Sequence, residues 1–151
     1  KSAQSLGYAE ADPTSDVEGY DARYKTVILA NVIMNKPLKV EEVECLGITK
    51  ITPKHIREAK CEGMRWKLLS TIKKDGDRLI ATVKPEKISV SDQLAAVTGP
   101  INAITYECGL SGPITLIGAG AGLKETGFSL LIDLINFNYD KKLLTIWLRL
   151  Q

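Results

Sequence analysis

The run MRWKLLSTIKK-DGD-RLIATVKPEKI, Met64 to Ile88, constrains the fold more than any other part of the chain. Arg65, Lys67 and Lys73 fall on polar positions of an alternating pattern, and Asp75-Gly76-Asp77 is a turn sequence. This predicts a β-hairpin. INAITYEC and GPITLIG are two more strands, with the turn residues GLSGP between them. Helical segments interleave with these strands. TPKHIREAKCEG predicts a helix with Thr52 as N-cap, Pro53 at the first position and Gly63 beyond the end. A last helix is predicted from about Leu123 to Phe137, and DQLAAV is a short helix or turn. The mixture predicts an α+β fold: a mixed sheet of about four or five strands with helices packed on one face. A length of 151 residues with 44% hydrophobic and 25% charged content fits one domain with a real core.

The N-terminal third carries the charge pattern of interest. KSAQSL followed by Gly7 reads as a helix end with a glycine C-cap, and YAEADPTS as a loop. Ser15 and Glu18 form an S-x-x-E capping box, so a helix is predicted to begin near Asp16. Pro37 stops it after about Asn35. Its second half, Val27 to Met34, is apolar nearly all round, which predicts burial on most sides.

Glu10, Asp12, Asp16, Glu18 and Asp21 place five acids ahead of Lys25. Asp21 and Lys25 are four apart and share a helix face. That stripe continues into Ile28, Leu29 and Val32, so Lys25 is expected to be partly desolvated, which suits proton transfer near neutral pH. Carboxylates are also favourable near a helix N-terminus through the macrodipole, which accounts for Asp16 and Glu18 without any function. Two readings stay open on these grounds: a capped helix with an intrahelical ion pair, and an active-site face.

The remaining composition narrows the class. The net charge of +2 is small, with no split between the halves, and calls for neither nucleic acid nor an anionic membrane. No apolar run reaches the roughly 18 residues of a membrane span. KSAQSLG lacks the apolar core of a signal peptide. Cys45, Cys61 and Cys108 are odd in number and widely spaced, and His55 is the only histidine. This points away from a zinc site or a disulfide framework and towards a reducing cytoplasm, with small buried thiols and a surface histidine.

The pattern Ala3-x-x-x-Gly7-Tyr8-Ala9, then Asp12-Pro13-x-x-Asp16-Val17-x-Gly19-x-Asp21-x-x-x-Lys25, resembles the signature of homoserine dehydrogenases. The likeness continues through LAAVTGPINAI, and through GAGAGLKET and DLI, to about Ile135. The resemblance implies reduction of aspartate 4-semialdehyde to homoserine with NAD or NADP as cofactor. It implies Lys25 as proton donor, Asp21 as the residue orienting it, and Glu10, Asp16 and Tyr8 around the substrate. It also implies a homodimer. The family's N-terminal Rossmann domain, which holds most of the cofactor, has no counterpart in this sequence. Residues 1–151 therefore read as one substrate-binding, catalytic and dimerisation domain of a longer chain.

GAGAGL does not supply the missing fingerprint. Gly118 and Gly120 fit the first two places of G-x-G-x-x-G, but the third is Leu123. The resemblance instead places this loop, with Gly118, Gly120, Gly122 and Thr126, beside the nicotinamide end of the cofactor. Gly127 departs from the alanine usual in the family. The segment 138–151 matches nothing in the family; its apolar residues are expected to form a strand or helix packing on this domain or a neighbour. Two alternatives remain: a related oxidoreductase of another aldehyde, and a non-catalytic dimerisation or binding domain.

Overall fold

The computed structural model describes Ser5 and residues 11–149. Ser5 is helical, and the rest of the predicted N-terminal helix and its Gly7 cap lie outside the described residues. The chain divides into two compact units, Lys1–Ala96 and Val97–Gln151.

The first unit is built on the hairpin. Strands β2 (Met64–Asp75) and β3 (Arg78–Ser89) pair antiparallel without interruption from Met64↔Ser89 to Asp75↔Arg78. Gly76 takes φ +57° in the two-residue turn, as a primed turn demands of its first central position. Strand β1 (Glu44–Cys45) adds to the other edge of β3, parallel, through Glu44↔Thr82 and Cys45↔Val83. The sheet order is β1-β3-β2.

Helix α1 (Thr14–Val17) is a single turn, α2 (Tyr20–Ile33) is the long helix of this unit, and α3 is Pro53–Cys61. One short 3-10 turn follows α2 at Val40–Glu42, and another lies at Gln93–Ala96. Helix α3 begins and ends as predicted: the Thr52 side chain accepts from His55 N at 3.3 Å, and Gly63 takes φ +67° beyond the end. His55 is exposed, and its carbonyl accepts from Trp66 Nε1 at 3.2 Å, tying α3 to β2.

The core joins Ala30 and Leu38 to Val43, Ala81 and Val83, with Ala22, Val27, Leu68 and Ile72 packed around them. Small residues on facing surfaces let α2 lie close on the sheet. Thr26 is buried among them because its hydroxyl donates to Ala22 O at 2.7 Å. After Pro37 the chain turns back, held by Asn31, whose side chain accepts from Leu38 N at 2.7 Å and donates to Leu38 O at 3.2 Å.

Two expectations for the long helix need correction. The capping box does not form its start: Gly19 takes φ +77°, separates α1 from α2 and serves as the N-cap of α2. Nor is Val27–Met34 buried on most sides. Ile28 is 60% exposed and Val32 75%, with Ile33 and Met34 also exposed. This unit's sheet covers only one side of the helix. The helices pack on the sheet face bearing Trp66, Leu68 and Ile72. Strand alternation puts Lys67, Leu69, Thr71, Thr82 and Lys84 on the opposite face, where all five are half-buried.

The second unit holds β4 (Ile101–Cys108) and β5 (Gly112–Ala119), paired antiparallel from Ile101↔Ala119 to Cys108↔Gly112. The hydroxyls of Thr105 and Thr115 meet across it at 2.9 Å. Helix α4 then runs from Leu123 to Arg149, past the predicted end at Phe137 and through most of the 138–151 segment. The α+β class and five strands match expectation, but the strands form a three-stranded and a two-stranded sheet rather than one. Cys45 and Cys108 are half-buried, whereas Cys61 is exposed, contrary to the expected buried thiol. No helix among the described residues is long and apolar enough to cross a membrane.

Candidate functional site

The acidic stretch is shaped by one short turn of helix and one glycine. Asp12 opens it: its carboxylate accepts from Thr14 N at 3.0 Å and from the Thr14 hydroxyl at 2.5 Å. The first of these bonds meets a free N–H at the start of α1, whose N-cap position is Pro13. The hydroxyl bond first, and the backbone bond second, hold the Asp12 carboxyl below the ordinary aspartate value of 3.8. A depressed folded value contributes stability that is present above the unfolded pKa and fades as pH falls through the folded one. An NMR pH titration is therefore expected to place the Asp12 midpoint below 3.8, and Thr14→Val to move it back up. An unshifted midpoint in the unsubstituted chain would contradict the bond pattern.

Asp16 follows on α1, exposed, with its backbone carbonyl accepting from Gly19 N at 3.2 Å. Gly19 is buried against the sheet. A Cβ placed there would lie 3.3 Å from Val83 Cγ1, 3.4 Å from Cys45 Sγ and 3.7 Å from Leu68 Cδ2. Its φ favours glycine, and the contact to Val83 is tight enough that a larger residue would have to push it aside by a few tenths of an ångström.

Helix α2 then starts, and its first turns bring Asp21 and Lys25 together. Lys25 Nζ lies 2.7 Å from Asp21 Oδ2, the predicted i,i+4 pair. The expected desolvation is not supplied by this unit: the side chains are 57% and 46% exposed, and the neighbouring Ile28 and Val32 are exposed too. An open pair of this kind stabilises a helix by only about 0.3–0.5 kcal/mol. Its placement just after a buried, sterically fixed glycine is therefore more informative than its strength. Tyr8 and Glu10 lie outside the described residues.

Sequence reasoning missed the segment after β1. A Cβ on Gly47 would meet Val17 O at 2.5 Å and Glu18 Cα at 2.6 Å, so the backbone of the acidic turn lies directly against it. The available signal was a lone glycine in the apolar run CLGI, a mark of close backbone approach.

The glycine loop belongs to the second unit. Gly120 N donates to Pro100 O at 2.9 Å, and the Asn102 side chain fills the space a Cβ on Gly120 would need. The Glu125 carboxylate does the same at Gly122, whose φ is +140°. Thr126 N donates to Gly122 O at 3.0 Å in the first turn of α4. Asn102 thus restricts Gly120, whereas Gly122 is held to glycine by its φ, since the Glu125 carboxylate can swing aside. Gly118, on β5 and paired with Asn102, is exposed with nothing within 4 Å of an added Cβ, so its own chain does not require a glycine there. The loop does not have the spacing of a pyrophosphate cradle. Among the described residues no group of three or more His, Cys, Asp or Glu side chains could hold a metal ion.

Comparison with known proteins gives one consistent result. The family model for homoserine dehydrogenase matches residues 1–135. An NAD(+)-dependent homoserine dehydrogenase of Pseudomonas canavaninivorans is 43% identical over 137 residues, covering 90% of this chain and 39% of that protein. The crystal structure of S. aureus homoserine dehydrogenase superposes with a TM-score of 0.84 at 36% identity, covering 93% of this chain and 36% of that one. A hyperthermophilic archaeal homoserine dehydrogenase mutant in complex with NADPH superposes at 0.70 with 32% identity, covering 92% of this chain and 39% of that one. The chain spans well under half the length of these relatives.

Proposed function

Because the chain belongs to the homoserine dehydrogenase family, we propose that it is the substrate-binding, catalytic and dimerisation part of an enzyme interconverting aspartate 4-semialdehyde and L-homoserine. The observation that carries the reading is the Asp21–Lys25 pair, 2.7 Å apart, one turn beyond a glycine that the sheet fixes in place.

In this proposal NADH or NADPH would supply the hydride when bound, held mainly by a dinucleotide-binding domain N-terminal to these residues. Lys25 gives a proton to the aldehyde oxygen as the carbonyl π bond breaks and carbon accepts the hydride. The lysine, left neutral, regains its proton from water. Asp21, 2.7 Å away, keeps the ammonium aimed. Glu10 receives the substrate's ammonium group, with Asp16 and Tyr8 beside it. The loop of Gly118, Gly120, Gly122 and Thr126 meets the nicotinamide end. The setting is cytoplasmic.

Full-length protein is expected to oxidise NADH or NADPH on addition of aspartate semialdehyde, whereas residues 1–151 alone turn over none. No turnover by the full-length protein with either cofactor would defeat the reading. Turnover by residues 1–151 would defeat the assignment of cofactor binding to another domain.

The hairpin face opposite the helices supports a homodimer. Lys67, Leu69, Thr71, Thr82 and Lys84 form a half-buried surface of mixed apolar and polar groups, with Lys84 Nζ 3.7 Å from Glu86 Oε1 at its side. A sheet face of this composition suits an isologous contact with a second copy. Light scattering of residues 1–151 at high micromolar concentration is expected to give a dimer mass; a monomer mass would refute it.

A further inference from the structure

We propose that Cys45–Ile48 is a positioning strap that fixes the Val17–Gly19 backbone and thereby sets where Asp21 and Lys25 start from. The inference rests on the function proposed above, but its evidence is independent of the family. Ile48 N donates to Val17 O at 2.8 Å. Cys45 Sγ lies 3.4 Å from both Glu18 O and Gly19 O. Val17 O and Glu18 O, two successive carbonyls at the junction of α1 and α2, are thus met by one short segment, whereas Gly19 O also takes the first bond of α2, from Arg23 N at 2.9 Å.

Between those two donors sits Gly47. An added Cβ would lie 2.5 Å from Val17 O, 2.6 Å from Glu18 Cα and 2.8 Å from Glu18 Oε2. Gly47 is not among the glycines with positive φ, so its requirement is space alone. Two of the three obstructing atoms are backbone and cannot swing aside. The strap itself is anchored to the sheet, by Leu46 N to Val83 O at 2.8 Å and by the Cys45↔Val83 pairing. Val83 is also the residue on which Gly19 rests, so strap and turn share one rigid support. Burial raises the Cys45 thiol above its usual range, against the pull of nearby Arg23, which keeps it protonated and able to donate.

A displacement of about 1 Å at a reacting group costs up to roughly 10²-fold in rate. Gly47→Ala in the full-length enzyme is therefore expected to lower kcat/KM for the amino-acid aldehyde by about 10–100-fold, with KM for the cofactor within about twofold. Cys45→Ala should lower it less, and Cys45→Ser, which keeps a donor, should restore it towards the unsubstituted value. Lys25→Ala is measured in parallel. A folded Gly47→Ala enzyme with unchanged kcat/KM, while Lys25→Ala is impaired, overturns the strap and leaves the function standing. Equal losses towards aldehyde and cofactor overturn it too, as the mark of a general structural role. If Gly47→Ala does not fold, the Cys45 pair decides: Ser and Ala behaving alike overturns the strap. An unimpaired Lys25→Ala removes both the functional reading and the strap.

Discussion

Lys25→Ala in the full-length enzyme is expected to lower kcat by roughly 10²–10⁴, the usual contribution of a positioned proton donor. KM for the aldehyde should change less, because the ammonium matters most as negative charge develops on oxygen. Glu10→Ala should show the opposite division, with a raised KM from loss of the contact to the substrate's ammonium group. The competing description is a surface ion pair. Lys25 and Asp21 are 57% and 46% exposed, so removing such a pair would cost only about 0.2–1 kcal/mol of stability and leave kcat alone. Steady-state kinetics together with thermal melting separates the two. Unchanged kcat with a slightly lower Tm would return Lys25 to the status of a helix surface residue.

Gly19→Val is expected to destabilise residues 1–151 severely, independently of any chemistry. A branched side chain at φ +77° meets the left-handed penalty of about 1–2 kcal/mol. It must also enter a space in which the first added carbon already lies 3.3 Å from Val83 and 3.4 Å from Cys45, and overpacking of a core costs typically about 1–3 kcal/mol. The sum, about 2–5 kcal/mol, corresponds to a fall in Tm on the order of 10 °C for a chain of this size. Gly63→Ala supplies the control. It has a similar φ of +67° but nothing within 4 Å of the added carbon, so it should show the conformational penalty alone. Equal melting shifts for the two variants would mean that Val83 and Cys45 yield to the new side chain.

The hairpin and α3 were legible because their signals are local. Alternation from Arg65 to Lys73 and the Asp-Gly-Asp turn name both strands, and Thr52-Pro53 and Gly63 mark the ends of the helix. The Asp21–Lys25 pair was legible for the same reason, since i,i+4 spacing fixes it once a helix is assumed. The break at Gly19 was not. Ser15-x-x-Glu18 offers an equally local helix start, and only contacts with Val83, Cys45 and Leu68 decide against it. The exposure of Ile28 and Val32 was hidden too, because composition reports that a face is apolar and not whether this chain covers it. Separation of the strands into two sheets is a matter of long-range pairing, on which turn residues are silent. Cys45 and Gly47 gave almost no signal, as a single thiol and a single glycine in an apolar run.

The wiring of the first unit also orders its assembly in time. The hairpin closes through a two-residue turn, each further pair lying next to one already made, and α3 docks on it from the segment immediately before. Such neighbourly contacts form early. The local bonds of Asp12 and α1 order the acidic turn within itself but do not dock it on the sheet. Its holds come from Cys45, 27 residues away from Glu18, and from Val83 on the far strand of the hairpin. Loop closure over those distances is favourable only once the sheet exists to receive it. Within this unit the turn leading into Asp21 and Lys25 is then expected to condense after the hairpin and to open before it in native-state fluctuations. Substrate gripping that turn would draw the opening equilibrium back by mass action, so that turnover conditions themselves protect the fold from proteolysis and exchange.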